Sequence, residues 1–427
     1  MAPHLLTALS GPLGALEKRL LNAAPDIERW FARQWAVHRP PVYSSVDVRN
    51  AGFKLAPVDT NLFPGGWNNL TPRMLERAAE AAAGALRRAA PCNRRVLLVP
   101  ENHTRNLHYL SNVARLRQAL LAGGLDVRVG SVLPDLTEPL AVELPDGGSV
   151  LLEPVQREHG RLGLPGFDPG LVLLNHDLSA GIPPQLQGLR DQPVLPPLHA
   201  GWHVRRKTTH FARYAEVARE LGEAIGLDEW LITPDFEACD GLDFSSGTGL
   251  EALQARVDAL LTRVRHKYRA LGVADEPFAI VKADNGTYGM GVMTVRDAAE
   301  LDKLNRRTRN KMDVIKDGQR TTSVIVQEGV PTCERVGEAM AEPVVYLMDG
   351  QVAGGFYRTH AERGVDENLN APGARFVSMA CAEGQPGEGV GGANRFYPYA
   401  VIARLATLAA SRELEAEQAP VKACEAA

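Results

Sequence analysis

Cysteine is scarce in this 427-residue sequence: there are five, Cys92, Cys239, Cys333, Cys381 and Cys424, odd in number and far apart. They form no CxxC pair and no zinc-finger spacing. A disulfide scaffold is therefore excluded, and free thiols in a reducing, cytoplasmic setting are expected. A basic excess is missing too. The formal charge is -4 and the pI about 6.3, so nucleic acid is not an expected partner. No run reaches the roughly eighteen apolar residues of a helical membrane span, so no membrane association is expected. The first thirty residues lack a basic stretch followed by a long apolar core. They predict an amphipathic helix with Leu5, Leu6, Leu9 and Leu13 on one side, not a signal peptide.

What is present is an alternation of helix-like and strand-like text. Thr71-Pro72 caps an Ala-rich helix to about residue 90. RRVLLVP (94–100), DVRVGSVL and GLVLLNHD (170–177) read as buried strands separated by a helix and a hairpin, a βαβ rhythm that predicts a mostly parallel sheet. Ligands collect beyond the carboxyl ends of such strands, where ENHTRN (101–106) and NHD (175–177) stand. Pro/Gly-rich text (178–200) marks a crossing between domains. Helices are expected at 206–226, 249–271 and 297–311, and a last one at about 399–415, with Val401, Ile402, Leu405 and Leu408 as its buried stripe.

Two segments carry chemistry. In FAIVKADNGTYGMGVMTV (278–295) both flanks of the glycines read as strands. Gly286, Gly289 and Gly291 therefore join an antiparallel pair, which excludes a dinucleotide fingerprint or a P-loop, since both run from strand into helix. Glycine lets backbone N–H groups approach phosphate oxygens, and Lys282 on the first strand adds a point charge. The alternative is a glycine-rich surface hairpin. LAPVDTNLFPGGWNNL (55–70) gathers Asp59, Asn61, Asn68 and Asn69 around a Pro-Gly-Gly turn. These oxygen donors either hold a hard cation or form an Asx-rich turn. His199 and His203 lack a third ligand, so zinc is not expected. RRK (205–207), at the start of a helix, either touches phosphate or is a solvated cationic turn, and the turn is the commoner case.

The order of lysine strand, glycine hairpin and a strand ending in Gln327-Glu328 (SVIVQE) resembles the central part of ATP-grasp enzymes. A hairpin ending in Arg358 (VVYLMDGQVAGGFYR) and an Asn-bearing loop (NLNAPG, 368–373) follow in the same order. The acidic-x-Asn pair that holds magnesium in that family usually comes later. Here Asp59-x-Asn61 lies upstream, as in the circularly permuted glutathione synthetases of eukaryotes, and SSVDVRN and FKLAPVD look like adjacent antiparallel strands. Beyond the fold, PPVYSSVDVRNAGFKLAPVDTNLFPGGWNNL, LLVPENHTRN and IVKADNGTYGMGVMTV closely resemble the proteobacterial-type glutamate–cysteine ligase family.

The resemblance implies an α/β (α+β), ATP-grasp-like fold, circularly permuted, with a parallel-sheet substrate domain. Its expected parts are 1–70 (N-terminal helix and metal-site strands), 71–200 (α/β substrate domain), 201–277 (helical connection), 278–340 (lid) and 341–427 (remaining core and last helix). It implies ATP-dependent joining of glutamate to cysteine through an acyl phosphate, with ATP and Mg2+ as cofactors. Lys282, Gly286, Thr287, Tyr288, Gly289, Met290, Gly291, Gln327 and Glu328 would meet ATP. Asp59, Asn61 and Asp284 would hold the metal, while Arg358 and Lys282 would be catalytic. Arg49, Asn102, Arg105, Asn368 and Asn370 would meet substrate. A different ATP-grasp ligase such as glutathione synthetase, a small-molecule kinase and a nucleotide-binding module are the alternatives, and oligomeric state stays open.

Overall fold

The alternating segments YSSVDVRN and LAPVDTN form antiparallel strands β1 (Tyr43–Asn50) and β2 (Leu55–Asn61). The computed structural model that shows this describes residues 2–285, 291–313, 320–381 and 393–418. β1 also pairs with β16 (Ala339–Met348), which continues into β17 (Gln351–His360) and β18 (Arg375–Ser378), and β15 (Arg335–Val336) joins β16. Residues about 300 positions apart thus share one antiparallel sheet. The tight β16–β17 turn is Asp349-Gly350 with φ of 53° and 69°, the left-handed pair such a two-residue turn requires.

The second sheet has the order β10 (Val194–Leu195), β9 (Leu171–Asn175), β3 (Arg95–Pro100), β4 (Asp126–Ser131), β6 (Ser149–Pro154), β5 (Leu140–Glu143). All its pairings are parallel except the β5–β6 hairpin. A small ribbon pairs β7 (Gln156–Glu158) with β8 (Arg161–Gly163). The third sheet orders β11 (Phe236–Asp240), β14 (Ser323–Glu328), β12 (Ala279–Ala283) and β13 (Val292–Val295), all antiparallel. Lys282 faces Val292 in the β12–β13 register, so the glycine segment does link two antiparallel strands.

The eight α-helices among the described residues are α1 (Ala15–Asn22), α2 (Ala24–Val37), α3 (Pro72–Ala89), α4 (Leu107–Ala122), α5 (Lys207–Ile225), α6 (Leu250–Leu271), α7 (Arg306–Asp313) and α8 (Tyr397–Gln418). Helices α1, α2, α3, α5 and α8 bury their apolar faces in one core with the first sheet, whereas α6 packs under the third sheet in a separate core.

Three expectations need correction. Leu5 is not helical; it makes an isolated bridge with Cys381, and Leu6 is exposed. Helix begins only at Ala15, past the Gly-Pro pair that interrupts the pattern. The polar segment 297–311 is a 3-10 turn (Ala298–Lys303) followed by α7, not one helix. Helix α8 is buried nearly all round over 396–411 rather than along a stripe, because it packs against β1, β2, β16 and α5 together. Among the described residues Cys92, Cys239, Cys333 and Cys381 are free thiols, and no helix is long and apolar enough to cross a membrane.

Candidate active site

A cleft opens where the first and third sheets meet, bordered by residues of β1, β2, β12, β14, β16 and β17. Strand alternation fills its first wall. Asp47 and Arg49 lie two apart on β1, and Asp47 is the direct register partner of Asp59 on β2, so both carboxylates stand on one face. Glu342 and Arg358 are cross-strand partners on β16 and β17.

These side chains form a shared network. Nη1 of Arg358 donates to Asp47 at 2.6 Å and to Glu342 at 2.7 Å, and Nε of Arg49 donates to the other Glu342 oxygen at 2.8 Å. The remaining Arg49 bonds go to the backbone carbonyls of Val330, Val365 and Glu367, so this arginine braces the wall. Burial pushes the Glu342 carboxyl up, but the two guanidiniums outweigh it and hold it low. Burial pushes Asp47 up, aided by Glu342 and only partly opposed by Arg358.

Opposite stands a second cluster. Nζ of Lys207 donates to Asp59 at 2.6 Å and lies 4.5 Å from the centre of the Trp202 ring. Nζ of Lys282 donates to the Val58 carbonyl at 2.8 Å and to Oε1 of Gln327 at 2.7 Å. Burial would raise Asp59, but Lys207 and Lys282, with Arg205, bring it down to about 2. Burial lowers Lys282 to about 8 against the pull of Asp59. Two ammonium groups here face one carboxylate that is 38% exposed.

The RRK segment therefore needs a correction: it is not a solvated turn. Arg205 is 2% and Lys207 5% exposed. Arg205 is held by both oxygens of Glu413 on α8, at 2.8 and 3.1 Å, and by the Thr60 carbonyl. No local sequence signal announces a partner two hundred residues away.

Of the predicted site residues, Arg49, Asp59, Lys282, Gln327, Glu328, Arg358, Asn368 and Asn370 border this cleft. Gly291 follows the loop and accepts the Ala283 N–H at 3.0 Å. Gly286, Thr287, Tyr288, Gly289 and Met290 lie outside the described residues. Asn61 closes a local Asx turn, its side-chain oxygen accepting the Phe63 N–H at 2.9 Å. Asp284 accepts the backbone N–H and the hydroxyl of Thr208, at 2.8 and 2.9 Å, capping the start of α5. Neither borders the cleft. Asn102 and Arg105 lie on the loop after β3, in a separate shallow depression.

Residues the sequence reading missed include Asp47, Lys54 and Glu342. Asp47 was within reach, since it stands two before Arg49 on an alternating strand. A further cluster lies at the carboxyl ends of the adjacent parallel strands β3 and β9. Glu101, His176 and Asp177 are all buried, and their candidate ligand atoms fall within 4.8 Å of one another. The Asp177 carbonyl accepts the Trp202 N–H at 3.0 Å, which joins this cluster to the segment that carries Lys207.

The family model for glutamate-cysteine ligase (GshA) matches residues 17–414. A crystal structure from Methylobacillus flagellatus KT, assigned as a gamma-glutamylcysteine synthetase, is 53% identical. The match covers 98% of this chain and 99% of that one, with a TM-score of 0.87. A glutathione synthetase-like effector from Globodera pallida is 9% identical over 85% of this chain and 83% of that chain, with a TM-score of 0.38. D-alanyl-alanine synthetase A from Vibrio cholerae is 12% identical over 66% and 73%, with a TM-score of 0.32. Those two likenesses are too slight to carry an argument. No curated protein gives a significant match.

Proposed function

The chain belongs to the glutamate–cysteine ligase family, and from that premise we propose how its cleft makes the bond. It is an ATP-dependent ligase that joins L-glutamate to L-cysteine, the first step of glutathione biosynthesis. In our reading the γ-carboxylate oxygen of glutamate attacks the γ-phosphorus of ATP, and ADP leaves. The neutral amine of cysteine then attacks the acyl carbon, the C–O bond to phosphate breaks, and the N–H proton that the nitrogen gives up passes to the departing phosphate. The protein aligns groups and neutralises charge, and little covalent chemistry falls to it.

The observation that carries this reading is the convergence of Lys207 and Lys282 on Asp59. Net positive charge with one partly exposed carboxylate suits a polyphosphate and its metal ion. Lys282 and Lys207 would hold the phosphates. Arg358, whose Nη2 has only a long 3.5 Å contact with Asp47, would meet the transferring phosphoryl group. Gln327 and Glu328 would read the nucleoside, and the 286–291 segment would cover the phosphates.

For magnesium the donor set fits at Asp59, which offers hard oxygen to the cleft and stands opposite Asp47. Asn61 and Asp284 fit less well, since neither borders the cleft. We therefore shift the metal reading from the Asp59/Asn61/Asp284 set to Asp59 with Asp47. When bound, the ion would screen the phosphate charge.

The ATP-grasp character, the circular permutation and the five-part division remain proposals. Supporting them is the pairing of β1 and β2 with β16 and β17, which draws both ends of the chain into one sheet beside the β12–β13 hairpin. We also assign the α-ammonium of glutamate to Glu101 and Asp177. Carboxylates keep an ammonium protonated. That suits the donor amino acid and is wrong for the cysteine amine, which must be neutral to attack.

The test is ADP release with Mg-ATP and glutamate alone, glutamate plus cysteine, or γ-glutamylcysteine plus glycine. Turnover with glutamate plus cysteine is expected. Turnover only with γ-glutamylcysteine plus glycine would move the enzyme to the next ligation, and no ADP in any mixture would overturn the reading.

A further inference from the structure

A second cavity lies at the other end of the first sheet and, among the described residues, shares no lining residue with the cleft. It opens between α3, the end of α2 and the β16–β17 turn, with Arg404 of α8 also on its wall. On β16, Glu342 borders the cleft, whereas the turn at Asp349-Gly350 borders the cavity. The strand from Glu342 to Met348 separates the two by about 20 Å, at about 3.3 Å per residue.

The cavity is strongly basic in a chain whose formal net charge is -4. Among the described residues five guanidiniums border it, Arg39, Arg73, Arg77, Arg88 and Arg404, against two carboxylates, Glu80 and Asp349. Asp349 is taken by Arg88, and Nη1 of Arg404 donates to Glu28 at 2.5 Å. No described residue accepts a hydrogen bond from the side chains of Arg39, Arg73 or Arg77, or from Nε or Nη2 of Arg404. Arg404 is only 8% exposed, and its guanidinium is fixed 3.8 Å from the centre of the Phe31 ring. Arg39 belongs to the same wall, since its backbone bonds to Ser411 and Glu415 of α8.

Helix α3 sharpens the imbalance. Arg73 and Arg77 are four apart on it, where like charges repel. Arg73 also stands in its first turn, which holds no acidic residue, so the positive end of the helix dipole adds to the charge. Arg77 is half-buried, and its Nη1 is covered without a hydrogen-bond partner. An uncompensated guanidinium in that position costs free energy that a bound anion recovers. Guanidinium forks grip carboxylate and phosphate oxygens two at a time. We propose that this cavity is a second, non-catalytic binding site for a small anion that carries two or more carboxylate or phosphate groups. Arg73 and Arg77 hold one of these groups at the start of α3, and Arg404 with Arg39 holds another. The site stands independently of what the cleft binds.

The experiment is calorimetric titration of citrate and of pyrophosphate, without magnesium and at constant ionic strength. The proteins are wild type, Arg73→Gln, Arg77→Gln, the Arg73→Gln/Arg77→Gln double variant and Lys282→Met. Citrate offers carboxylates and pyrophosphate offers phosphates, so the tighter of the two identifies the group the cavity takes. At least one should bind wild type in a saturable isotherm. Arg77→Gln should weaken that binding about tenfold or more, and the double variant should lose it. In Lys282→Met, altered in the cleft alone, it should persist within about twofold of wild type. The anion should raise the melting temperature of wild type and leave that of the double variant unmoved, while kcat of Arg77→Gln stays within about twofold. Arg73 is exposed, so Arg73→Gln keeps the test open if Arg77→Gln does not fold. Binding that survives in the double variant, or no saturable binding of either anion, would overturn the proposal. So would binding lost in Lys282→Met but kept in Arg77→Gln, which would place the anion in the cleft.

Discussion

Two lysine–carboxylate pairs of equal length serve the cleft, each with one partner from the β1–β2 hairpin: Lys54–Glu328 and Lys207–Asp59, both at 2.6 Å. Their surroundings differ. Lys54 and Glu328 are 1% and 0% exposed, with an aromatic lid over the ammonium and one cation for one anion. Asp59 is 38% exposed and has Lys282 and Arg205 acting on it besides Lys207. Distance alone therefore does not tell what an ion pair is for. A sealed, balanced pair fixes geometry. An open pair with surplus positive charge leaves that charge for a ligand.

The most severe way to break this comparison is on the open side. Asp59→Ala and Lys282→Met should each lower kcat/KM by about 10²–10³-fold while the melting temperature changes little. A large loss of stability in either would make that pair structural. Next comes the sealed side. Lys54→Met leaves a buried carboxylate uncompensated and should cost about 3–5 kcal/mol of unfolding free energy at neutral pH. Denaturant titration should find less loss as pH falls, since burial raises the Glu328 carboxyl, and partial recovery in the Lys54→Met/Glu328→Gln double variant.

The parallel-sheet cluster carries the assignment of the α-ammonium of glutamate. Glu101→Gln or Asp177→Asn should reduce the preference for glutamate over glutarate, which lacks the α-ammonium, by about 10–100-fold. An unchanged preference would remove the cluster from the substrate site.

A smaller effect should appear with pH. Lys282 holds its phosphate-binding charge below about 8, so activity should fall to about half at pH 8 and a tenth at pH 9. Stability should move the other way. The folded pKa lies below the unfolded value, so the unfolded chain binds the extra proton between about pH 8 and 10.5, and Lys282 destabilises less as pH rises through that window. The difference in unfolding free energy between wild type and Lys282→Met should therefore shift in favour of wild type from pH 7.5 to 10.

Least affected should be Asp284→Asn. It weakens the Thr208 contacts at the start of α5 and should cost about 0.5–2 kcal/mol, with kcat within about twofold. A loss of a hundredfold there would restore Asp284 as a metal ligand.

What was legible in the sequence was local. The β1–β2 and β12–β13 strands, the placement of Lys282 before the glycines and the Asp349-Gly350 turn follow from alternation and turn chemistry over a few residues. Family membership was legible from the motifs too. Register was not. Asp47 faces Asp59, and Glu342 faces Arg358, only once the strands pair. Nor was burial of charge. Lys54, Arg205 and Lys207 read as ordinary surface residues because their partners, Glu328, Glu413 and Asp59, lie about 150–270 residues away. Asn61 misled for the opposite reason: its oxygen is taken by the backbone two residues on.

The most direct measurement is calorimetric titration of magnesium tripolyphosphate, a nucleoside-free polyphosphate, into wild type, Lys282→Met and Lys54→Met. If the open pair receives the phosphates and the sealed pair only fixes geometry, Lys54→Met binds within about twofold of wild type. Lys282→Met should then bind about tenfold or more weakly, the loss of at least about 1.4 kcal/mol. Equal weakening in both variants, or unchanged binding in Lys282→Met, would contradict the division of labour drawn from the two pairs.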